Sequence, residues 1–93
     1  MHIGVLTLCL SLGYADSLKD KRQAIKSLVA RVRNKFNVSI AEVDDLDIWR
    51  RATLGVTVVS NSALLANQIL QKVIDYVDND ANVVLDDYGI EML

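Results

Sequence analysis

The sequence predicts an α+β domain in which four antiparallel strands carry two helices on one face. Three observations lead there. Apolar and polar residues alternate near the N-terminus and again between Arg51 and Ser60, the period of a half-buried strand. Two stretches, beginning near Ser17 and Ser62, repeat their apolar residues at helical spacing. The 93 residues include no proline, so nothing interrupts these patterns from within.

Each element follows in order. In residues 2–12, Leu6, Leu8, Leu10 and Leu12 fall on one side and Thr7, Cys9 and Ser11 on the other, which makes the first strand. Gly13 to Asp16 connect it to a helix opened by Ser17. Asp20, three residues on, completes a capping box with the shorter acid. Leu18, Ile25, Leu28, Val29 and Val32 form the apolar stripe of this helix, and Asn34 and Asn37 are stop signals. Phe36 to Val43 is the second strand, with Val38 and Ile40 alternating against Asn37 and Ser39; the polar run Asp44 to Asp47 ends it. Arg51 to Ser60, dense in β-branched residues, is the third. Asn61 or Ser62 caps a second helix whose stripe is Leu65, Ala66, Ile69, Leu70, Val73 and Val77, and Asn79-Asp80 ends it. Residues 82–93 form the fourth strand, with a bulge expected at Asp86-Asp87 where the alternation fails.

The order β-α-β-β-α-β, joined by right-handed crossovers, gives a ferredoxin-like βαββαβ sandwich with strand order 4-1-3-2. Residues 1–93 are expected to be one such domain. Its core is expected to hold Leu6, Leu8, Leu10, Ile25, Leu28, Val32, Leu54, Val56, Val58, Ile69 and Val73. The second sheet face stays open and is expected to be polar, with small residues such as Thr7, Cys9, Ser11, Thr53 and Thr57. Close approach of a second sheet there, and unpaired backbone on the edge strands, predict a homodimer.

Charge is laid down in blocks that the net value of −2 conceals. Residues 16–35 hold seven of the ten Lys and Arg residues and two acids; residues 42–47 hold four acids, and 75–91 hold six more and no base. Cys9 is the single cysteine, so neither an intrachain disulfide nor a cysteine-based zinc site can form within one chain. The apolar run Ile3–Leu12 is too short to span a bilayer, and no basic residue precedes it. These features predict a cytoplasmic protein with no membrane partner.

Three stretches carry a family resemblance: Ser17-Leu18-Lys19-Asp20-Lys21-Arg22, Phe36 through Asp45, and Trp49-Arg50-Arg51-Ala52-Thr53-Leu54-Gly55-Val56. Together they resemble the YlxP-like family of small bacterial proteins, a domain of unknown function, over nearly the whole chain. The resemblance implies a ferredoxin-like fold. Genes of that family tend to lie near genes for translation initiation and ribosome maturation, which implies an RNA or ribosome partner and no particular activity. Where the family usually has a proline near the end of the first strand, this chain has Ser11-Leu12-Gly13; the departure concerns a turn.

Of the candidate sites, the basic helix is the most informative. At about 100° per residue, Lys19, Arg22, Lys26 and Arg33 share one flank beside the apolar stripe, Arg31 and Lys35 lie on the other, and Lys21 falls within the stripe itself. The flank is either a phosphate-contacting patch for RNA or a solvated face balanced by acids elsewhere. Trp49-Arg50-Arg51 either stacks a base and holds its phosphates, or closes the hairpin end of the core while the arginines pair with Glu42, Asp44 or Asp47. Asp44, Asp45 and Asp47 lack the glycine and distal glutamate of a calcium loop and read as a solvated hairpin tip. Cys9 and His2 lie on opposite faces of one strand, so neither serves the other as catalytic base. There is no glycine-rich phosphate loop, no GXXG, and no aromatic on the predicted open face of the first and third strands. Nor does Gly13 to Asp16 supply the arginine that an acylphosphatase needs there. The expectation is a non-catalytic binding module for RNA or a ribosomal particle, without metal or cofactor. The alternative is an oligomeric regulatory or structural protein with no nucleic-acid partner.

Overall fold

In the computed structural model, which describes residues 1–93, the alternating N-terminal run is strand β1, His2–Ser11. Helix α1, Leu18–Lys35, follows, then β2, Ser39–Asp44, β3, Arg51–Ser60, helix α2, Ala63–Asp78, and β4, Val84–Met92. The sheet order is β2-β3-β1-β4 with every neighbouring pair antiparallel, the predicted 4-1-3-2 arrangement. Both helices lie on one face, α2 over β1, β3 and β4 and α1 beside β2. This is the ferredoxin-like βαββαβ sandwich.

Period-two alternation sets the register. Leu6, Leu8 and Leu10 are fully buried under the helices opposite Val56, Leu54 and Ala52, while Thr7 and Thr57 face the open side. All the expected core residues join one cluster; Ile69 is its only half-buried member among them. Ser17 caps α1, its hydroxyl accepting from the Asp20 N–H at 3.1 Å. The reciprocal arm lands one residue early: the Asp20 carboxylate accepts from the N–H of Asp16 at 3.2 Å. Ser62 caps α2 through the Leu65 N–H at 3.2 Å. The expected bulge in β4 is present: Leu10 pairs Leu85 but Cys9 pairs Asp87, leaving Asp86 unpaired in the ladder. The Asp86 carboxylate accepts the Ser11 hydroxyl.

Four expectations change. Strand β2 begins at Ser39, because the Phe36 N–H still donates to Val32 and closes the last turn of α1; the Phe36 ring then meets Tyr76 edge to face. Strand β4 starts at Val84, because the Asp80 carboxylate accepts from the Asn82 N–H and holds that segment in a turn. In α2, Leu65 is exposed and Ile74 takes its place in the core, since Leu65 lies more than about 100° from the centre of the buried stripe. The open face is less polar than expected. Val43, Val59 and Val84 are exposed there, with Val43 lying over Gly55, 3.0 Å from the position a Cβ would take.

Candidate nucleic-acid interface

The two sides of α1 do different work. On the side facing α2, Arg31 donates to Asp80 at 2.7 Å and Lys35 sits over the Tyr76 ring. The hydrogen bond to Asp80 raises the Arg31 guanidinium above its ordinary value, against the opposing effect of burial. On the side facing the β2 edge lie Lys19, Arg22, Lys26 and Arg33, all exposed. Lys19 and Lys26 form no ion pair within the chain. Arg22 reaches Asp47 only at 3.8 Å, between two exposed side chains, a pairing of little energetic weight. Arg33 does not project freely: it donates to the Ile40 carbonyl at 2.8 Å, which fixes the side chain without cancelling its charge.

At the N-terminal end of α1, two loops are stitched together. The Leu12 N–H donates to the Arg50 carbonyl at 2.9 Å, and Arg50 Nε donates to the Ala15 carbonyl at 3.2 Å. The segment after β1 therefore lies against the β2–β3 connection. Trp49 is 51 % exposed on that connection, so it does not close the core; β3 starts at Arg51, and the buried positions below it are filled by Ala52 and Leu54. Arg51 pairs with Asp45 at 3.4 Å rather than with Glu42, Asp44 or Asp47.

The acids of this hairpin do not converge. Asp45 accepts from the Thr53 hydroxyl at 2.8 Å and from Arg51, while Asp44 accepts from the Asp45 N–H. The Thr53 hydroxyl, with Arg51 and Lys21 nearby, holds the Asp45 carboxyl below its ordinary value although desolvation opposes this. Asp45 is also the one non-glycine residue with positive φ, 60°, a left-handed conformation that Asp tolerates.

Lys21 was visible in the sequence only as a charge out of place in the apolar stripe. Its side chain is fully buried, and Nζ lies 2.7 Å from Glu42 Oε2. The same ammonium donates to the carbonyls of Asp45 and Leu46. Glu42 reaches it because Glu42 opposes Leu54 and so faces the helix side of the sheet. One buried cation thus ties α1, β2 and the β2–β3 connection together. Tyr14, 75 % exposed in the segment after β1, carried no signal in the sequence beyond its place in a connection.

No helix is long and apolar enough to cross a membrane. Comparison with known proteins agrees with the family resemblance. The family described as "Protein of unknown function (DUF503)" matches residues 3–90. The uncharacterized protein YlxP of Bacillus subtilis (strain 168) is 43 % identical over 65 residues, covering 70 % of this chain and 71 % of that one. Among solved structures, the REP-associated tyrosine transposase bound to a REP hairpin aligns with a TM-score of 0.46 and 10 % identity. That alignment covers 98 % of this chain, which spans 55 % of the transposase chain; a likeness so distant carries no inference about site or partner. With nearly its whole length matched, the chain belongs to the DUF503 family.

Proposed function

We propose that this chain is a non-catalytic, cytoplasmic binding module for RNA or an RNA-bearing particle such as the ribosome. The observation that carries the reading is the β2-side flank of α1. Lys19 and Lys26 have no carboxylate partner and Arg22 has only a loose one, so their charge is available to phosphates. Phosphate contacts of this kind position a protein on nucleic acid without reading sequence, and their affinity falls steeply with salt. Arg33 extends the row from a fixed position against the Ile40 carbonyl. The test is capture of cellular RNA and ribosomal particles at low and high salt, with the bound RNA sequenced. The reading predicts capture at about 50 mM salt and its loss on raising salt; no capture at low salt would end it.

A homodimer is the second reading, favoured by the exposed valines of the open sheet face. Val59 is 64 % exposed beside half-buried Ile3 and Val5, an apolar row that a second copy would cover. Light scattering at tens of micromolar distinguishes the two states, and Val59→Glu should leave only monomer.

A further inference from the structure

We infer that the chain associates with copies of itself edge to edge, the β2 edge of one copy pairing with the β4 edge of the next, so that one antiparallel sheet runs through successive copies. Such pairing stands apart from the RNA reading: it needs no nucleic acid.

The topology allows it by displacement along the sheet, with the sheet's own twist. In the order β2-β3-β1-β4 every neighbouring pair is antiparallel, so the two edge strands also run antiparallel to each other. A displaced second copy therefore sets its β4 antiparallel beside β2 and keeps its helices on the same face. Both edges carry backbone groups that no strand of their own chain takes up.

Charge chooses among the possible pairings. The β2 edge is flanked by exposed Lys19, Arg22, Lys26 and Arg33. Against them stand Asp44 and Asp47, the latter loosely met by Arg22, while Glu42 answers Lys21. At the other edge, Asp75 and Asp78 of α2 line one groove with Asp86 and Asp87 of β4, and no base joins them. Glu91 follows on β4, and residues 75–91 hold no Lys or Arg. Pairing β2 with β2, or β4 with β4, sets like charges together, which keeps edge strands apart. Only β2 with β4 joins opposite signs.

The charges also arrive level. The end of β1 pairs with the start of β4, Ser11 opposite Val84, and α1 begins just beyond Ser11 at Leu18. Helix α2 reaches the same end at Asp78, shortly before β4. The N-terminal half of α1, with Lys19, Arg22 and Lys26, thus lies at the same end of the sheet as Asp75, Asp78, Asp86 and Asp87. Displacement along the sheet brings the bases of one copy to the acids of the next.

The β4 edge has apolar surface left to cover. No residue of β4 is buried. Tyr88 and Met92 oppose Leu8 and Gly4 and so face the helix side, yet they remain 48 % and 39 % exposed. Helix α1 of the next copy, which stands beside its own β2, comes alongside α2 at this strip. Each copy in the array keeps one free edge of each kind, so the assembly is open and grows with concentration. The basic flank is the one assigned above to phosphates, so RNA and a neighbouring copy compete for it.

The experiment measures the mass of the full chain by light scattering over tens to hundreds of micromolar, at about 50 mM salt and at about 1 M, where the Debye length falls to about 3 Å. At low salt the mean mass should exceed the 10.3 kDa of one chain and rise with concentration; at high salt it should return to 10.3 kDa. Lys19→Glu with Lys26→Glu, and separately Asp78→Lys with Asp87→Lys, should each give a monomer at low salt. All four side chains are exposed, so both variants should keep the parent circular dichroism. An equal mixture of the two should associate again, because each offers the other an edge of opposite charge. Amide exchange in β2 and β4 should slow in the associated sample. A parent chain that stays monomeric at low salt, a mixture that fails to associate, or association without slower exchange at both edges overturns the edge pairing. So does a salt-independent dimer abolished by Val59→Glu, which would assign association to the open face.

Discussion

Lys21 Nζ and Glu42 Oε2 lie 2.7 Å apart, the lysine side chain wholly buried and the glutamate partly exposed. A charge without solvent survives only with a partner and further hydrogen bonds, and the Asp45 and Leu46 carbonyls supply those. Removing one partner strands the other. Lys21→Ala or Glu42→Ala should each destabilise the fold by about 3–5 kcal/mol, measured by urea unfolding. Lys21→Met combined with Glu42→Leu should recover most of that loss. A double variant as unstable as the singles would show that the site tolerates no apolar replacement.

Asp45 gives the hairpin a dependence on acid. Its carboxyl is held below the ordinary value of 3.8, chiefly by the Thr53 hydroxyl and then by Arg51. The folded state thus prefers the carboxylate. The stabilisation is fully present above the unfolded value and is lost as pH falls through the lower folded one. Asp45→Asn should be less stable than the parent at neutral pH, with the gap closing below about pH 4. A gap that stays constant with pH would rule out a titrating Asp45 as its source.

Gly4 is held by space. A Cβ there would sit 2.8 Å from Leu70 Cδ1, 3.2 Å from Val58 Cγ1 and 3.3 Å from Met92 Sδ. Gly4→Ala should therefore cost about 1–3 kcal/mol through overpacking, seen as a lower thermal midpoint. Gly89→Ala, where nothing lies within 4 Å, should change the midpoint far less.

The α1 flank predicts a particular response to salt. Lys19→Gln and Lys26→Gln should each lower the slope of log affinity for RNA against log salt by about one unit. Their effect on stability should stay within about 0.5 kcal/mol, since both side chains are exposed and unpaired. Arg31→Gln should leave the slope unchanged, because Arg31 faces α2 and is held by Asp80. Equal slopes for all three variants would remove the flank from the interface.

The local pattern by itself determined the element order, the Ser17 cap, the core faces of the first three strands and the irregularity at Asp86-Asp87, because each is a short-range property; it left the second cap open between Asn61 and Ser62 and gave no core face to the fourth strand. Period two decides which way Leu8 points, and a serine side chain reaches only the N–H groups of its own first turn. Helical spacing likewise put Lys19, Arg22, Lys26 and Arg33 on one flank before any packing was known. Only the tertiary structure decided what those side chains meet. Arg33 finds the Ile40 carbonyl seven residues on, Lys21 finds Glu42 and the hairpin carbonyls, and Arg50 finds Ala15 thirty-five residues back. Those contacts depend on how α1 settles beside β2 and how two loops meet at one end of the sheet. No spacing along the chain encodes that arrangement: it is the outcome of burying both apolar stripes against one sheet face at the same time.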